Sequence, residues 1–103
     1  MRTPVNGECI ERLAVLSEEL GEVQQVIGKI LRHGFHSKSP LDPEAKTNSD
    51  MLERELGDVV CAMRLMDFLG DISLARVDRY SIEKHFKLVK WLHYPSNKGG
   101  QNV

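Results

Sequence analysis

Apolar residues recur at helical spacing in three stretches of the chain. Between Cys9 and Leu31, residues Leu13, Leu16, Leu20, Val23, Ile27 and Ile30 alternate steps of three and four, the repeat that lines one face of an α-helix. His33-Gly34 closes this first helix, because glycine readily takes the left-handed conformation that ends helices. In the second stretch Leu52, Leu56, Val59, Met63 and Met66 repeat the pattern to about Leu69, where Gly70 stops it. Ser49 or Asp50 is placed to cap its start, with Glu53 answering Asp50 in a capping-box-like pair. A third helix lies between Ile72 and His93, with Ile82, Phe86 and Val89 as its stripe and Pro95 as its stop.

Residues 35–49 hold two prolines, three serines and few apolar side chains, so they read as a long connection, a kind of loop that often carries function. The segment Ser96 to Val103 is polar and glycine-containing and reads as a frayed tail. No strand pattern competes, and the expected fold is all-α. It is a helical bundle in a single domain over residues 1–103, with a core from about residue 9 to 95. Both long helices carry an apolar stripe and an adjoining seam, more than three helices of one small chain can cover, so oligomerisation is expected to complete the bundle.

Composition narrows the class. With 41% hydrophobic and 28% charged residues in a chain of 103, a folded globular domain is expected rather than a disordered one. The 14 basic and 15 acidic residues give a net charge of -1, so no overall positive field points to nucleic acid or to an anionic membrane. An anionic ligand must then be met by a local site. Cys9 and Cys61 cannot build a disulfide framework, no apolar run approaches the ~20 residues of a membrane span, and residues 1–6 lack an apolar signal core. These features together predict a cytoplasmic protein with both thiols reduced.

The candidate chemistry lies in a repeated tetrapeptide. Helix one contains Glu19-Leu20-Gly21-Glu22 and helix two contains Glu55-Leu56-Gly57-Asp58. Residues three apart share a helix face, so each pair can aim two carboxylates at one point. Val15 and Val26 flank the first pair on its face, and Met51, Ala62, Leu65 and Leu69 flank the second, which places the acids on faces that another helix covers. Carboxylates crowded near a buried seam repel one another and lose hydration, at a cost of several kcal/mol per ion unless a cation or hydrogen bonds compensate. Mg²⁺ or Mn²⁺ bound together with a polyphosphate is the natural compensation, since these ions take oxygen ligands and keep substrate phosphates in their shell. A di-iron bundle site would need Glu-x-x-His pairs, and none is present.

The two motifs on consecutive helices resemble the metal-binding signature of the MazG-like, all-α nucleoside triphosphate pyrophosphohydrolases. The likeness extends to Glu18, to Lys29-Ile30-Leu31-Arg32-His33-Gly34, and to a Lys/Trp/His-rich third helix ending in Tyr94, roughly residues 9 to 95 in all. The resemblance implies a Mg²⁺-dependent enzyme that cleaves between the α- and β-phosphates of (d)NTPs, giving a monophosphate and pyrophosphate. It also implies a homodimer or a dimer of dimers. Glu19, Glu22, Glu55 and Asp58 inherit the catalytic, metal-holding role. Glu18 matches an acid often adjacent in the motif, although its wheel position points away from Glu22.

Lys84, Lys87 and Lys90 follow one another at single-turn spacing on helix three and could neutralise phosphate, a reading that a solvated basic face matches equally well. His33, His36, His85 and His93 read as helix-end or surface residues, and Cys9 and Cys61 as packing or partly exposed thiols. Trp91 and Tyr94 suit core or interface packing better than base stacking. A different class of function stays open: a non-catalytic helical dimerisation or regulatory module with a structural metal site.

Overall fold

The computed structural model describes residues 6–42 and 44–94. Helix α1 runs over Gly7–His33, α2 over Asn48–Phe68 and α3 over Leu74–Trp91, with no strand among the described residues. The fold is all-α, as the periodicity requires. No described helix is long and apolar enough to cross a membrane. The chain divides into two compact units, one ending at Ile72 and the other starting at Ser73, and each is described by itself. The expected helix stop at Pro95, the tail 96–103 and residues 1–5 lie outside the described residues.

Each end of the helices has a local cause. The Asn6 side chain accepts the Cys9 N–H at 2.9 Å to start α1, and Gly34, at φ 92°, donates its N–H to the Ile30 carbonyl at 2.7 Å to end it. The start of α2 lies earlier than expected. Thr47, not Ser49 or Asp50, is the cap, and Asp50 is its capping-box partner: the Asp50 N–H reaches Thr47 Oγ1 at 3.1 Å and the Thr47 N–H reaches Asp50 Oδ2 at 3.2 Å. A cap at Thr47 satisfies two otherwise orphaned N–H groups at once. At its far end Gly70, at φ 89°, lets its own N–H meet the Asp67 carbonyl and that of Asp71 meet Met66, the Schellman closure.

The 34–47 connection holds turns and no helix among its described residues. It is tied back to the start of α2: the buried Asn48 donates Nδ2 to the Gly34 carbonyl and its N–H to the Ser37 carbonyl, and Ser49 donates to Phe35. These bonds bring the C-terminus of α1 beside the N-terminus of α2. At the opposite end Arg12 pairs with Asp71. Residue 12 beside 71 and residue 34 beside 48 define an antiparallel helix pair.

The stripe expected to form the core is only partly what the pair buries. Val23 and Val26 of α1, and Val59, Ala62 and Met66 of α2, are the buried apolar residues, whereas Leu13, Leu20, Ile27 and Leu56 remain 41–49% exposed. The contact line on α1 runs through positions 12, 16, 19, 23, 26 and 30, and on α2 through 48, 52, 55, 59, 62 and 66. Both follow the alternating four-three spacing of a coiled-coil seam. At ~100° per residue this line is rotated roughly 50° from the most apolar stripe toward the acids. In an antiparallel pair, the exposed Leu13, Leu20, Ile27, Leu56 and Val60 then share one side, and Glu22 and Asp58 lie toward the other.

In the second unit the Ser73 hydroxyl accepts the Arg76 N–H at 3.2 Å and starts α3. No residue of α3 is buried. Its expected stripe of Ile82, Phe86 and Val89 is exposed, and Trp91 and Tyr94, expected to pack, are 82% and 86% exposed.

Candidate metal centre

The seam carries acids where a coiled coil carries apolar side chains. Glu19 of α1 and Glu55 of α2 occupy contact-line positions and are half-buried, and Glu22 and Asp58 follow each by one turn. Antiparallel pairing therefore sets Glu19 opposite Asp58 and Glu22 opposite Glu55. Each of the four offers a carboxylate oxygen, and these oxygens lie within 4.8 Å of one another. Two oxygens that flank one Mg²⁺ at ~2.1 Å can be at most ~4.2 Å apart, so sub-ångström side-chain shifts bring the set into range of a single ion.

The electrostatics of the cluster favour a cation. Glu19 Oε1 and Glu55 Oε1 are buried with no hydrogen-bond partner, a condition that is costly for an ionised oxygen. Burial raises the proton affinity of Glu19 above the ordinary carboxylate range, and the charges of Glu22 and Asp58 add to the effect. For Glu55 a hydrogen bond with Glu22 is the leading cause of the same upward shift, followed by burial and by repulsion from Glu22, Asp58 and Glu19. Protons, or a divalent cation of whatever kind, relieve this arrangement. The chemistry of the donor set, oxygen only, suits a hard ion and not a soft one.

A cavity of about 570 Å³ adjoins the cluster, lined by Lys46, Asp50, Met51, Glu53, Arg54 and Glu55. It gives the Glu55 side of the cluster an opening that a ligand can enter. Glu18 is exposed. Lys84, Lys87 and Lys90 are exposed on α3 in the second unit, while the four acids belong to the first. His33, His36, His85 and His93 are all exposed, Cys61 is exposed and Cys9 is half-buried.

An ion pair that no motif spacing predicts closes the far end of the helix pair. Arg12 Nε meets Asp71 Oδ2, and its Nη2 donates to Asp71 Oδ1 at 2.9 Å, with 14% and 15% of the two side chains exposed. Arg12 holds the Asp71 carboxyl below the ordinary range, and Cys9 Sγ, 3.5 Å from Asp71 Oδ1, assists. One signal was present. Arg12 precedes Glu19 by seven residues and so shares the contact line, where a charge needs a partner.

A fold of this kind, an antiparallel helical pair with an acidic centre in its seam, is defined here by its own geometry. Comparison with protein-family models, with characterised proteins and with solved structures returned no match.

Proposed function

We propose that the chain is a Mg²⁺-dependent nucleotide pyrophosphohydrolase of the MazG-like kind, with Mn²⁺ as an alternative ion, which adds water across the α–β phosphoanhydride of a (d)NTP to release a nucleoside monophosphate and pyrophosphate. The observation that carries the reading is the pair of buried, unpartnered carboxylate oxygens, Glu19 Oε1 and Glu55 Oε1, at the centre of a four-acid cluster. The cavity beside Glu55 gives a ligand room next to the cluster.

When bound, the cation supplies charge that polarises phosphate oxygens and makes a nearby water more acidic. The chain's own residues do the rest. Glu19, Glu22, Glu55 and Asp58 fix the position of the reacting phosphate, held in register by the α1–α2 seam. Glu19 and Glu55 would hold the cation, whose charge offsets the burial and crowding that raise their proton affinity in its absence. Assembly as a homodimer or dimer of dimers belongs to the same reading, and the exposed side formed by Leu13, Leu20, Ile27, Leu56 and Val60 supports it.

The test is pyrophosphate release from a dNTP mixture, with Mg²⁺ and with excess EDTA. Release that needs the metal is expected. Full activity in EDTA overturns the mechanism, and no release from any nucleotide favours the regulatory module. Light scattering of the active protein should show an oligomer, and a stable active monomer would remove the assembly from the proposal.

A further inference from the structure

A second cavity, of about 360 Å³, lies between the C-terminal turns of α1 and the start of α2. Lys29, His33, Lys38 and Lys46 line it together with the hydroxyls of Ser37 and Ser39, and no carboxylate is among its lining residues. None of the three lysines forms an ion pair among the described residues. Lysines near a helix C-terminus can simply offset its dipole, and that account covers Lys29. It does not cover Lys38 and Lys46, which come from the connection and converge on the same space.

The start of the connection is tied to the start of α2. The hydrogen bonds from Asn48 and Ser49 to the carbonyls of Ser37 and Phe35 hold the segment that carries Lys38 against the turn that carries Lys46. They also occupy the first N–H groups of α2, and the Asp50 N–H is taken by Thr47. An anion here would therefore be met by side chains, with the positive end of α2 behind them. The charges of Lys46 and Lys38 act on Asp50, but this acid is engaged with Thr47 and does not line the cavity.

The cavity is continuous in composition with the opening beside the acids. Lys46 and Met51 line both cavities, and Glu55 lines the second. Along α1, Lys29 lies ~10 Å beyond Glu22 by the helical rise. Cationic side chains at that remove from a metal-holding cluster suit a ligand that carries several linked phosphates. We infer that the cavity of Lys29, His33, Lys38 and Lys46 is a polyphosphate subsite, which holds the terminal phosphates of the ligand whose inner phosphate meets the acidic cluster. The inference deepens the hydrolase reading and rests on it for the identity of the ligand. The existence of the anion site stands on the cavity alone.

The experiment titrates chelator-treated protein with inorganic pyrophosphate, followed by calorimetry and by amide shifts in NMR spectra, so that the metal site plays no part. Saturable binding is expected, with shifts at residues 29–46. The double variant Lys38→Ala/Lys46→Ala should weaken it at least about tenfold, the scale of lost charged hydrogen bonds, and Lys38→Arg/Lys46→Arg should restore much of it. Glu22→Gln should bind pyrophosphate at least as well as the parent. Absence of saturable binding, or equal affinity in the alanine double variant, overturns the subsite. The two readings separate in a second arm, nucleotide hydrolysis with Mg²⁺. If the parent binds pyrophosphate in the cavity but hydrolyses no nucleotide, the enzyme reading falls and the anion site stands. If it hydrolyses nucleotides and the alanine variant keeps the parent's KM and pyrophosphate affinity, the subsite falls and the enzyme reading stands.

Discussion

Two carboxylate settings in the same helix pair are solved in opposite ways. At one end Asp71 meets Arg12, which forks onto both of its oxygens and holds its carboxyl low. At mid-seam Glu19 and Glu55 meet only other acids, their proton affinity is raised, and one oxygen of each is buried without a partner. The chain thus has the means to neutralise a seam carboxylate internally, and it does so at Asp71 but not at the centre. A closed ion pair needs nothing further. The open cluster keeps its demand for positive charge, and this demand is what makes it a candidate for binding and catalysis.

The largest effect expected of this contrast is a crossing of activity and stability. Glu22→Gln and Asp58→Asn remove a charge from a repelling set, so they should keep or raise the melting temperature while pyrophosphate release falls at least ~100-fold, the scale of an essential electrostatic contact. Asp71→Asn should do the reverse in order of effect. It leaves Arg12 half-paired in a largely covered site, so the melting temperature should drop, and activity should decline only with the folded fraction. Melting curves and pyrophosphate release on the same purified variants decide the matter. Glu22→Gln and Asp58→Asn at parental rates would remove these acids from the site, and unfolding of both would make the cluster structural.

A smaller effect is expected from added metal. An ion that binds the folded cluster alone stabilises by RT ln(1 + [L]/Kd), ~2.7 kcal/mol at a hundredfold excess over Kd. Mg²⁺ should raise the melting temperature of the parent and of Asp71→Asn by similar amounts, and of Glu22→Gln by much less. An equal rise in all three would mean that the ion binds elsewhere.

Acid should mimic the ion, again with opposite signs at the two settings. Glu19 and Glu55 are raised, so the folded state binds their protons more tightly than the unfolded state does. The metal-free protein therefore gains stability as pH falls from 7 toward the ordinary carboxylate value of ~4.3. Asp71 and Asp50 are lowered, so their contribution is present above the ordinary value and is lost as pH falls through their folded values. A stability maximum on the acid side of neutrality is expected without metal, and saturating Mg²⁺ should flatten the gain between pH 7 and about 5. Stability that only falls from pH 7 downward in EDTA would contradict the raised pair.

Much of this contrast was legible in the sequence, and the part that was not has a physical reason. The three-four spacing located both long helices, and Gly34 and Gly70 marked their ends, because backbone conformation at a glycine is a local property. The doubled acid-Leu-Gly-acid tetrapeptide brought together Glu19, Glu22, Glu55 and Asp58, because flanking apolar residues on the same stripe implied cover by a second helix. The start of α2 was misplaced since Thr47 and Asp50 form their box only when the connection is folded back through Asn48. Arg12–Asp71 joins residues far apart in the chain, and the basic cavity forms only when the irregular connection folds back on α2, so no helical spacing encodes either. The direction of the contact line was also hidden. Hydrophobicity favoured the stripe through Leu20 and Leu56, whereas the pair packs on small and branched side chains, Val23, Val26, Val59 and Ala62, which allow close approach and bring the acids inward.

The last and smallest expected effect follows from that rotation. Leu20 and Leu56 were expected to be core, where Leu→Ala costs ~2 to 5 kcal/mol. Within one chain they are 49% and 44% exposed, and truncating either should cost well under that, of the order of 1 kcal/mol, because much of the side chain never leaves water. Met66, 3% exposed on the contact line, keeps the full core cost of ~2 to 5 kcal/mol for Met→Ala. The comparison is made by denaturant melts of Leu20→Ala, Leu56→Ala and Met66→Ala over a range of protein concentrations. If the leucine variants lose as much as Met66→Ala, and lose it in a way that depends on concentration, the exposed apolar side is covered in an assembly. A small loss independent of concentration means that the side stays open to water, and the helix pair then holds its acids in place without a second copy.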